Sequence, residues 1–351
     1  MASQTPSPVS GTIPRAAGTG YDTCMNAQLL KRILSLSALL YLAAPAHADW
    51  VRRVTDGIMG TRITVELWAD DKDKAEQAID AVLDEMRHID DSMSTYKPSS
   101  EVSQVNDKAA DGPMRISKEL FDLLVTAKQY SVITDGAFDI TYASVGYLYD
   151  FRKHVHPDEA QIDRALPAVN FRHVLLDPKN QTVQFSQKGV RIDLGGIAKG
   201  YSVDRGIDVL KARGFTRMFV SAGGDSRIVG DRFGKPWMVG IRDPRKGEGE
   251  VITRIPLVDA AISTSGDYER FFEIDDRRYC HVVNAHTGLP VRHWQSISVV
   301  APLCVVAGSC STIAMLLEAE AKAFLDSQVV AYLGVAQDGT LTGPFAVMAR
   351  P

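Results

Sequence analysis

An alternating apolar stretch, Val190, Ile192 and Leu194, runs directly into Gly195-Gly196 and then into a helical pattern from about Ala198 to Arg213, stopped by Gly214. This order constrains the fold more than any other feature of the chain. It sets an extended segment, a turn and a helix N-terminus side by side. Glycines let the backbone approach a neighbour closely, and helix N-terminal N–H groups favour anions. Lys199 adds a positive charge in the first turn. Taken alone, Gly-Gly before a helix is most often only a tight turn. The segment is neither G-x-G-x-x-G nor a Walker A sequence, so it predicts neither a Rossmann nor a P-loop site.

The rest of the pattern predicts a mixed α/β (α+β) protein with mainly antiparallel strands. Ile63, Val65 and Leu67 alternate with polar residues, as a strand requires. Asp73-x-x-Glu76 has the form of a capping box, opening a helix with the stripe Ala75, Ala78, Ile79, Val82, Leu83, Met86 and Ile89. A polar loop is expected from Asp91 to Gly112. Ser117 caps a second helix that buries Leu120, Phe121, Leu124 and Val125, with Gly136 beyond its end. Val174 to Leu194 reads as a β-hairpin with turns at Pro178-Lys179-Asn180 and Gln187-Lys188-Gly189. Further strands are expected at Met218–Ser221, Met238–Ile241, Ile252–Leu257, Tyr279–Val283 and Ile297–Ala301, and a last buried helix near Ser309.

The N-terminus reads as a targeting segment. Met25 to Arg32 is a charged n-region, Ile33 to Ala44 an apolar h-region, and Ala46-His47-Ala48 a small-x-small cleavage site before Asp49. The apolar run is short for a membrane span. Residues 1–48 are therefore expected to be leader and signal peptide, with Met25 a better start than Met1, and residues 49–351 one domain without a membrane span. Export to the periplasm follows. No Cys succeeds the h-region, which argues against a lipoprotein anchor. Of Cys24, Cys280, Cys304 and Cys310, the last three survive cleavage, and none has metal-ligand spacing. An oxidising compartment permits one disulfide; buried free thiols are the simpler expectation. The chain of 351 residues is 45% hydrophobic, enough for a large core, and its net charge of −4 without any basic run gives nucleic acid no footing.

Asp193 to Tyr201, with Asp204 following, resembles the D-[LG]-G-x-[IA]-A-K-G-Y-x-x-D signature of the ApbE family, the FAD:protein FMN transferases. Other segments resemble that family in the same order. They are Met59-Gly60-Thr61, Ser94-Thr95-Tyr96 with Ser99, Ser100, Glu101 and Asn106, and Gly136-Ala137-Phe138-Asp139-Ile140-Thr141. Gly223-Gly224-Asp225, Thr264-Ser265-Gly266-Asp267-Tyr268 and His281-Val282-Val283-Asn284-Ala285-His286-Thr287-Gly288 follow. Each segment alone has a plainer structural reading: Asp139 as a turn cap, Thr264–Asp267 as a turn, His281 as a packed histidine.

The resemblance implies an ApbE/T-fold-like architecture of antiparallel sheets packed with helices. It implies that Met59, Tyr96, Ala137, Phe138, Asp139, Asp193 and Lys199 hold FAD, with Thr264, Ser265 and Val282 lining the same pocket. His281 would help deprotonate an acceptor Ser or Thr, and the Gly196 carbonyl and Thr312 hydroxyl would bind Mg²⁺. The implied acceptor is a protein of a membrane-bound or periplasmic redox complex. A histidine titrating near neutrality suits the base, while Mg²⁺ and a lysine suit the phosphoryl oxygens.

Two positions depart from the family. Its metal segment reads A-D-A-x-x-T, whereas this chain has Ala307-Gly308-Ser309-Cys310-Ser311-Thr312. Gly308 offers no carboxylate, and Asp243, Asp267 or phosphate and water oxygens are the candidates to replace it. Asn284-Ala285 replaces the usual Asp-Pro and loses a charge. These departures motivate one alternative, a non-catalytic FAD-binding protein or carrier; a further alternative is an FAD pyrophosphatase, with water replacing the acceptor and giving FMN and AMP.

Overall fold

The alternation of Ile63, Val65 and Leu67 becomes the inner face of a large antiparallel sheet, seen in a computed structural model that describes residues 48–247, 249–275 and 277–349. Apart from Ala48, the expected leader, with Met25, Cys24 and the Ile33–Ala44 run, lies outside the described residues. From Ala48 onward the chain is one compact unit.

In chain order, β1 (Asp49–Ile58) and β2 (Thr61–Ala69) form a hairpin, followed by α1 (Lys72–Met93), α2 (Glu101–Lys108), β3 (Met114–Arg115) and α3 (Lys118–Ile133). Short helices α4 (Ala143–Gly146) and α5 (Glu159–Ala165) lead to β4 (Val174–Asp177) and β5 (Thr182–Phe185). Next come α6 (Ala198–Ala212), β6 (Met218–Ala222), β7 (Asp225–Val229), β8 (Trp237–Arg242), β9 (Val251–Leu257) and β10 (Ala261–Gly266). The last elements are β11 (Phe271–Ile274), β12 (Arg277–Cys280), β13 (Trp294–Ala301), α7 (Cys304–Leu317), α8 (Ala321–Ser327), β14 (Ala331–Ala336) and β15 (Leu341–Thr342).

The main sheet has eight strands in the order β1-β2-β6-β7-β10-β13-β14-β15, and every neighbouring pair is antiparallel. On one face, Ile63, Val65, Leu67 and Val220 meet Ile79, Val82 and Met86 of α1 and Val203 and Ile207 of α6. The β8–β9 hairpin contributes Ile241, Ile255 and Leu257 to a separate cluster with Ile228 and Ile262. A further core gathers α2, α3 and the β4–β5 hairpin around α7. Cys304–Ser327 is long and apolar enough by composition to cross a membrane, but most of it is buried in these cores.

The fold corrects several expectations. The first helix is capped by Asp71, whose side chain accepts from Lys74 N at 3.0 Å, so Asp73 is a first-turn charge rather than the cap. The expected loop from Asp91 to Gly112 contains the end of α1 and all of α2, which Ser100 caps and which buries Val102 and Val105. Only Val174–Phe185 of the expected hairpin pairs as strands. Residues 190–194 have buried apolar alternation without a ladder, because side chains satisfy their backbone. Asn106 bonds both Ile192 O (2.9 Å) and Ile192 N (2.7 Å), and Ser144 Oγ accepts from Arg191 N at 2.9 Å. The strand expected at Tyr279–Val283 ends at Cys280.

The helix expected near Ser309 is α7, which starts at Cys304, and α8 (Ala321–Ser327) follows it. Asp204 accepts from Cys304 N and Val305 N, both at 2.9 Å, and so caps α7 from α6. Gly200 makes this possible: a Cβ there would lie 2.6 Å from the Cys304 carbonyl oxygen. Asp204 also pairs with Arg227 at 2.8 Å. The signature aspartate is thus a structural clamp that holds the start of α6 against the start of α7.

Candidate active site

The Asp193–Gly196 loop is folded by its own aspartate. The Asp193 carboxylate accepts from Gly195 N at 2.7 Å and from Thr95 Oγ1 at 2.9 Å, and the Tyr142 hydroxyl lies 3.4 Å away. Burial, then Asp193, pushes the Tyr142 hydroxyl well above the usual range, so it stays a neutral donor. The loop delivers Gly196 to a close junction. A Cβ there would sit 3.1 Å from the Phe138 ring and 3.4 Å from Thr312 Cγ2. Gly196 and Thr312, both expected at a metal, therefore do come together. Ile197 gives α6 no side-chain cap, which leaves that helix start suited to an anion.

Oxygen donors line the facing surface. Ser263 and Ser265 alternate along β10 onto one side. Across from them, Gly308, Ser311 and Thr312 share a face of α7 at i, i+3 and i+4. Ser265 Oγ lies 2.9 Å from Ser311 Oγ and 3.2 Å from Thr312 Oγ1, and Ser311 Oγ is 3.3 Å from Ser263 Oγ. Ser263 donates to Asp225, its registered neighbour on β7. Burial raises the Asp225 carboxyl, opposed by the charge of Lys199 and by Ser263. Thr264 points the other way along the strand and bonds Ser298 of β13 at 2.7 Å. Among the described residues, no group of three or more His, Cys, Asp or Glu side chains is arranged to hold a metal ion.

His281 follows β12, with its N–H donated to the Arg270 carbonyl at 3.0 Å. Its Nδ1 is buried without a hydrogen-bond partner among the described residues. Burial, then the charges of Lys199 and Arg270, lowers the imidazole to about 4. This corrects the expectation of a histidine titrating near neutrality. Lys199 acts on both His281 and Asp225, so the first turn of α6 couples the two sides of the site. Val282 is buried beside His281.

Tyr96, next to Thr95, is 75% exposed, a flat apolar face available for stacking. Met59 occupies a left-handed conformation (φ 53°) in the β1–β2 turn and packs between two cores. Ala137, Phe138 and Asp139 are buried. Both Asp139 oxygens are engaged by the protein: Thr141 N (2.8 Å) and Thr141 Oγ1 (2.6 Å) on one, Phe171 N (2.6 Å) on the other. The aspartate shapes the turn that presents Phe138.

Both departures from the family pattern acquire a structural setting. Asn284 Oδ1 accepts from His286 N (2.9 Å) and Thr287 N (3.1 Å), a turn role that needs an acceptor but no charge. Asp267 is held by Arg245 through two bonds of 2.7 Å, with Arg278 at 3.2 Å and Gln337 at 3.0 Å. Asp243 accepts from Arg245 N and pairs with Lys246. Neither is free to take the place of a carboxylate at position 308. Sequence reasoning assigned no role to Arg270, Tyr142 or Ser311. Of these, only Ser311 carried a signal, its position one helical turn beyond Gly308.

Fold and site together define an α/β scaffold that sets a cation and a helix start against a wall of oxygen donors. The ApbE family matches residues 59–333, and the chain belongs to that family. It is 30% identical to the FAD:protein FMN transferase of Haemophilus influenzae over 300 residues, 81% of this chain and 86% of that protein. To the one from Vibrio cholerae it is 29% identical over 290 residues, 80% and 85% of the two chains. The crystal structure of the ApbE protein from Thermotoga maritima superposes with a TM-score of 0.79 at 30% identity, covering 86% of this chain and all of that one. Cys280, Cys304 and Cys310 are buried free thiols.

Proposed function

We propose that this chain is an FAD:protein FMN transferase, exported to the periplasm by a cleavable signal peptide. It moves FMN from FAD to a Ser or Thr hydroxyl of an acceptor in a membrane-bound or periplasmic redox complex. The observation that carries this reading is the meeting of Gly196 and Thr312 beside Lys199, with His281 under the same lysine's charge. In the reaction the acceptor oxygen bonds to the phosphorus of the FMN half. The pyrophosphate P–O bond breaks, AMP leaves with the bridging oxygen, and the acceptor proton passes to His281. Lys199 and the N–H groups of the α6 start bind the negative phosphoryl oxygens, and Tyr96 stacks on the flat ring.

The histidine's lowered affinity for protons is consistent with this role. In the free protein burial, then the charges of Lys199 and Arg270, oppose its protonation. A bound pyrophosphate offsets those two charges and raises the imidazole toward the range where a base is effective. The donors beside Gly196 fit Mg²⁺, because the Ser265, Ser311 and Thr312 hydroxyls are hard oxygens grouped within 3.2 Å of one another through Ser265. The Gly196 carbonyl and Thr312 would hold the ion. When bound, it supplies positive charge to the phosphoryl oxygens and the leaving AMP.

The test incubates the processed protein with FAD, Mg²⁺ and an acceptor domain bearing a target Ser or Thr. The expected result is a fluorescent, covalently labelled acceptor and one AMP per label. AMP released without acceptor identifies the hydrolase instead, and FAD bound without any AMP release identifies the carrier.

A further inference from the structure

Two cations act on the buried His281 imidazole, Lys199 in the first turn of α6 and Arg270 in the segment between β10 and β11. Their surroundings differ. Lys199 also acts on Asp225, whereas Arg270 also acts on the Tyr142 hydroxyl beside Asp193. The backbone of Arg270 is tied to the site, because its carbonyl accepts the His281 N–H at 3.0 Å. Its guanidinium lies against the β1–β2 turn: a Cβ at Gly60 (φ 66°) would meet Nη2 at 3.4 Å. The guanidinium thus has the Met59-Gly60 turn beside it and Tyr142 and His281 within reach of its charge.

The nearby carboxylates are taken by other arginines. Asp267 is held by Arg245 and Arg278, and Glu273 by Arg278. Among the described residues, the Arg270 side chain has no hydrogen bond or ion pair. An exposed arginine is ordinarily a solvated charge. This one is instead anchored next to the catalytic histidine with its planar fork unengaged, and such a fork takes two phosphate oxygens at once. A pyrophosphate diester carries a negative charge on each phosphate, which one lysine matches only in part.

We propose that Arg270 is the second cation of the pyrophosphate site, binding phosphate oxygens of FAD on the Tyr142 side of His281 while Lys199 binds them on the Asp225 side. The proposal rests on the reading of FAD as substrate and names the residue that completes its clamp. Pairing Arg270 with phosphate also removes part of the field that keeps His281 unprotonated.

The experiment titrates flavins onto the processed protein, with divalent cations chelated and no acceptor, and reads flavin fluorescence. Riboflavin shares the ring of FAD but has no phosphate. Arg270→Gln is expected to weaken FAD binding about tenfold, the size of a lost charge-assisted hydrogen bond, and to leave riboflavin binding within about twofold. Arg270→Lys keeps the charge without the fork and is expected to fall between the two. The side chain is exposed and unbonded, so both variants are expected to fold. A second readout is His281 itself, followed by imidazole NMR in the flavin-free protein and identified by the signal that His281→Gln lacks. In Arg270→Gln its titration moves up from about 4 yet stays below 6.5, since burial and Lys199 remain.

Equal losses of FAD and riboflavin binding would show that Arg270 only supports the Met59-Gly60 turn, and overturn the proposal. Unchanged FAD affinity or an unmoved His281 titration in Arg270→Gln overturns it as well. The outcome is separable from that of the proposed function. Acceptor labelling by a wild type whose Arg270→Gln variant keeps its FAD affinity overturns only the clamp. Selective loss of FAD binding in a protein that labels no acceptor supports the clamp and refutes the transferase.

Discussion

Asn106 and Ile192 exchange two hydrogen bonds, from the Asn106 amide to the Ile192 carbonyl at 2.9 Å and from the Ile192 N–H to the Asn106 oxygen at 2.7 Å. A side chain here does the work of a β-ladder partner. It fixes the extended segment that ends in Asp193-Leu194-Gly195-Gly196. Asn106→Ala leaves two backbone groups in a half-buried setting without partners, and each unmet group costs about 1–3 kcal/mol. The expected loss is about 2 kcal/mol in a urea melt. FAD affinity should fall as well, because the loop loses its anchor. Unchanged FAD affinity in a folded Asn106→Ala protein would show that the loop is held elsewhere.

Asp204 ties α6 to α7 and pairs with Arg227, all within a buried setting. Asp204→Ala removes both hydrogen bonds that cap α7 and leaves a largely buried guanidinium without its partner. Breaking one side of such a pair costs about 3 kcal/mol or more. The expected result is a large drop in unfolding free energy, with FAD binding lost only in proportion to unfolded protein. A variant with wild-type stability and lost FAD binding would instead place Asp204 in the binding machinery.

Much of the fold was legible wherever one period ran long enough. The stripe from Ala75 to Ile89, the Ser117 cap and the alternation of Ile63, Val65 and Leu67 all stand in the structure. Elements were missed where the deciding partner lies far along the chain. Asp204 caps a helix that starts at Cys304, and Asn106 holds Ile192, so local sequence leaves Cys304 outside the helix and reads Ile192 as part of a strand. The site was legible as a set of motifs but not as a division of labour. One oxygen of Asp139 and the acceptor atom of Asn284 are used within their own turns, and the other Asp139 oxygen holds the Phe171 N–H, which no motif spacing reveals.

Asn284 offers a direct check on the departure from Asp. Its Oδ1 accepts two backbone N–H groups, and an aspartate oxygen accepts them equally well. Asn284→Asp should therefore change stability by no more than about 0.5 kcal/mol and leave divalent-cation affinity within a factor of about two, because the residue holds a turn. Asn284→Ala should cost about 1 kcal/mol through the lost bonds. A marked gain in Mn²⁺ affinity on Asn284→Asp would show that the charge, rather than the turn, is what this position lacks.

His281 makes the chain's stability depend on pH in a defined window. Burial and the charges of Lys199 and Arg270 hold it at about 4 in the folded protein, against an ordinary value of 6.5. Between these values the unfolded chain binds a proton that the folded chain refuses, so stability falls as pH drops from 6.5 toward 4 and this contribution levels off below. A shift of that size is worth about 3 kcal/mol. Other carboxylates titrate in the same range, so the informative quantity is the difference between wild type and His281→Gln in urea melts at pH 7 and pH 4.5. The wild type should lose more stability than the variant over that interval. Parallel losses would show that the imidazole is not held neutral. Bound FAD should shrink the difference, because its pyrophosphate offsets the two cations and lets His281 accept a proton at higher pH. That same upward movement is what the transfer reaction requires of its base, so His281→Gln should abolish acceptor labelling while leaving FAD bound.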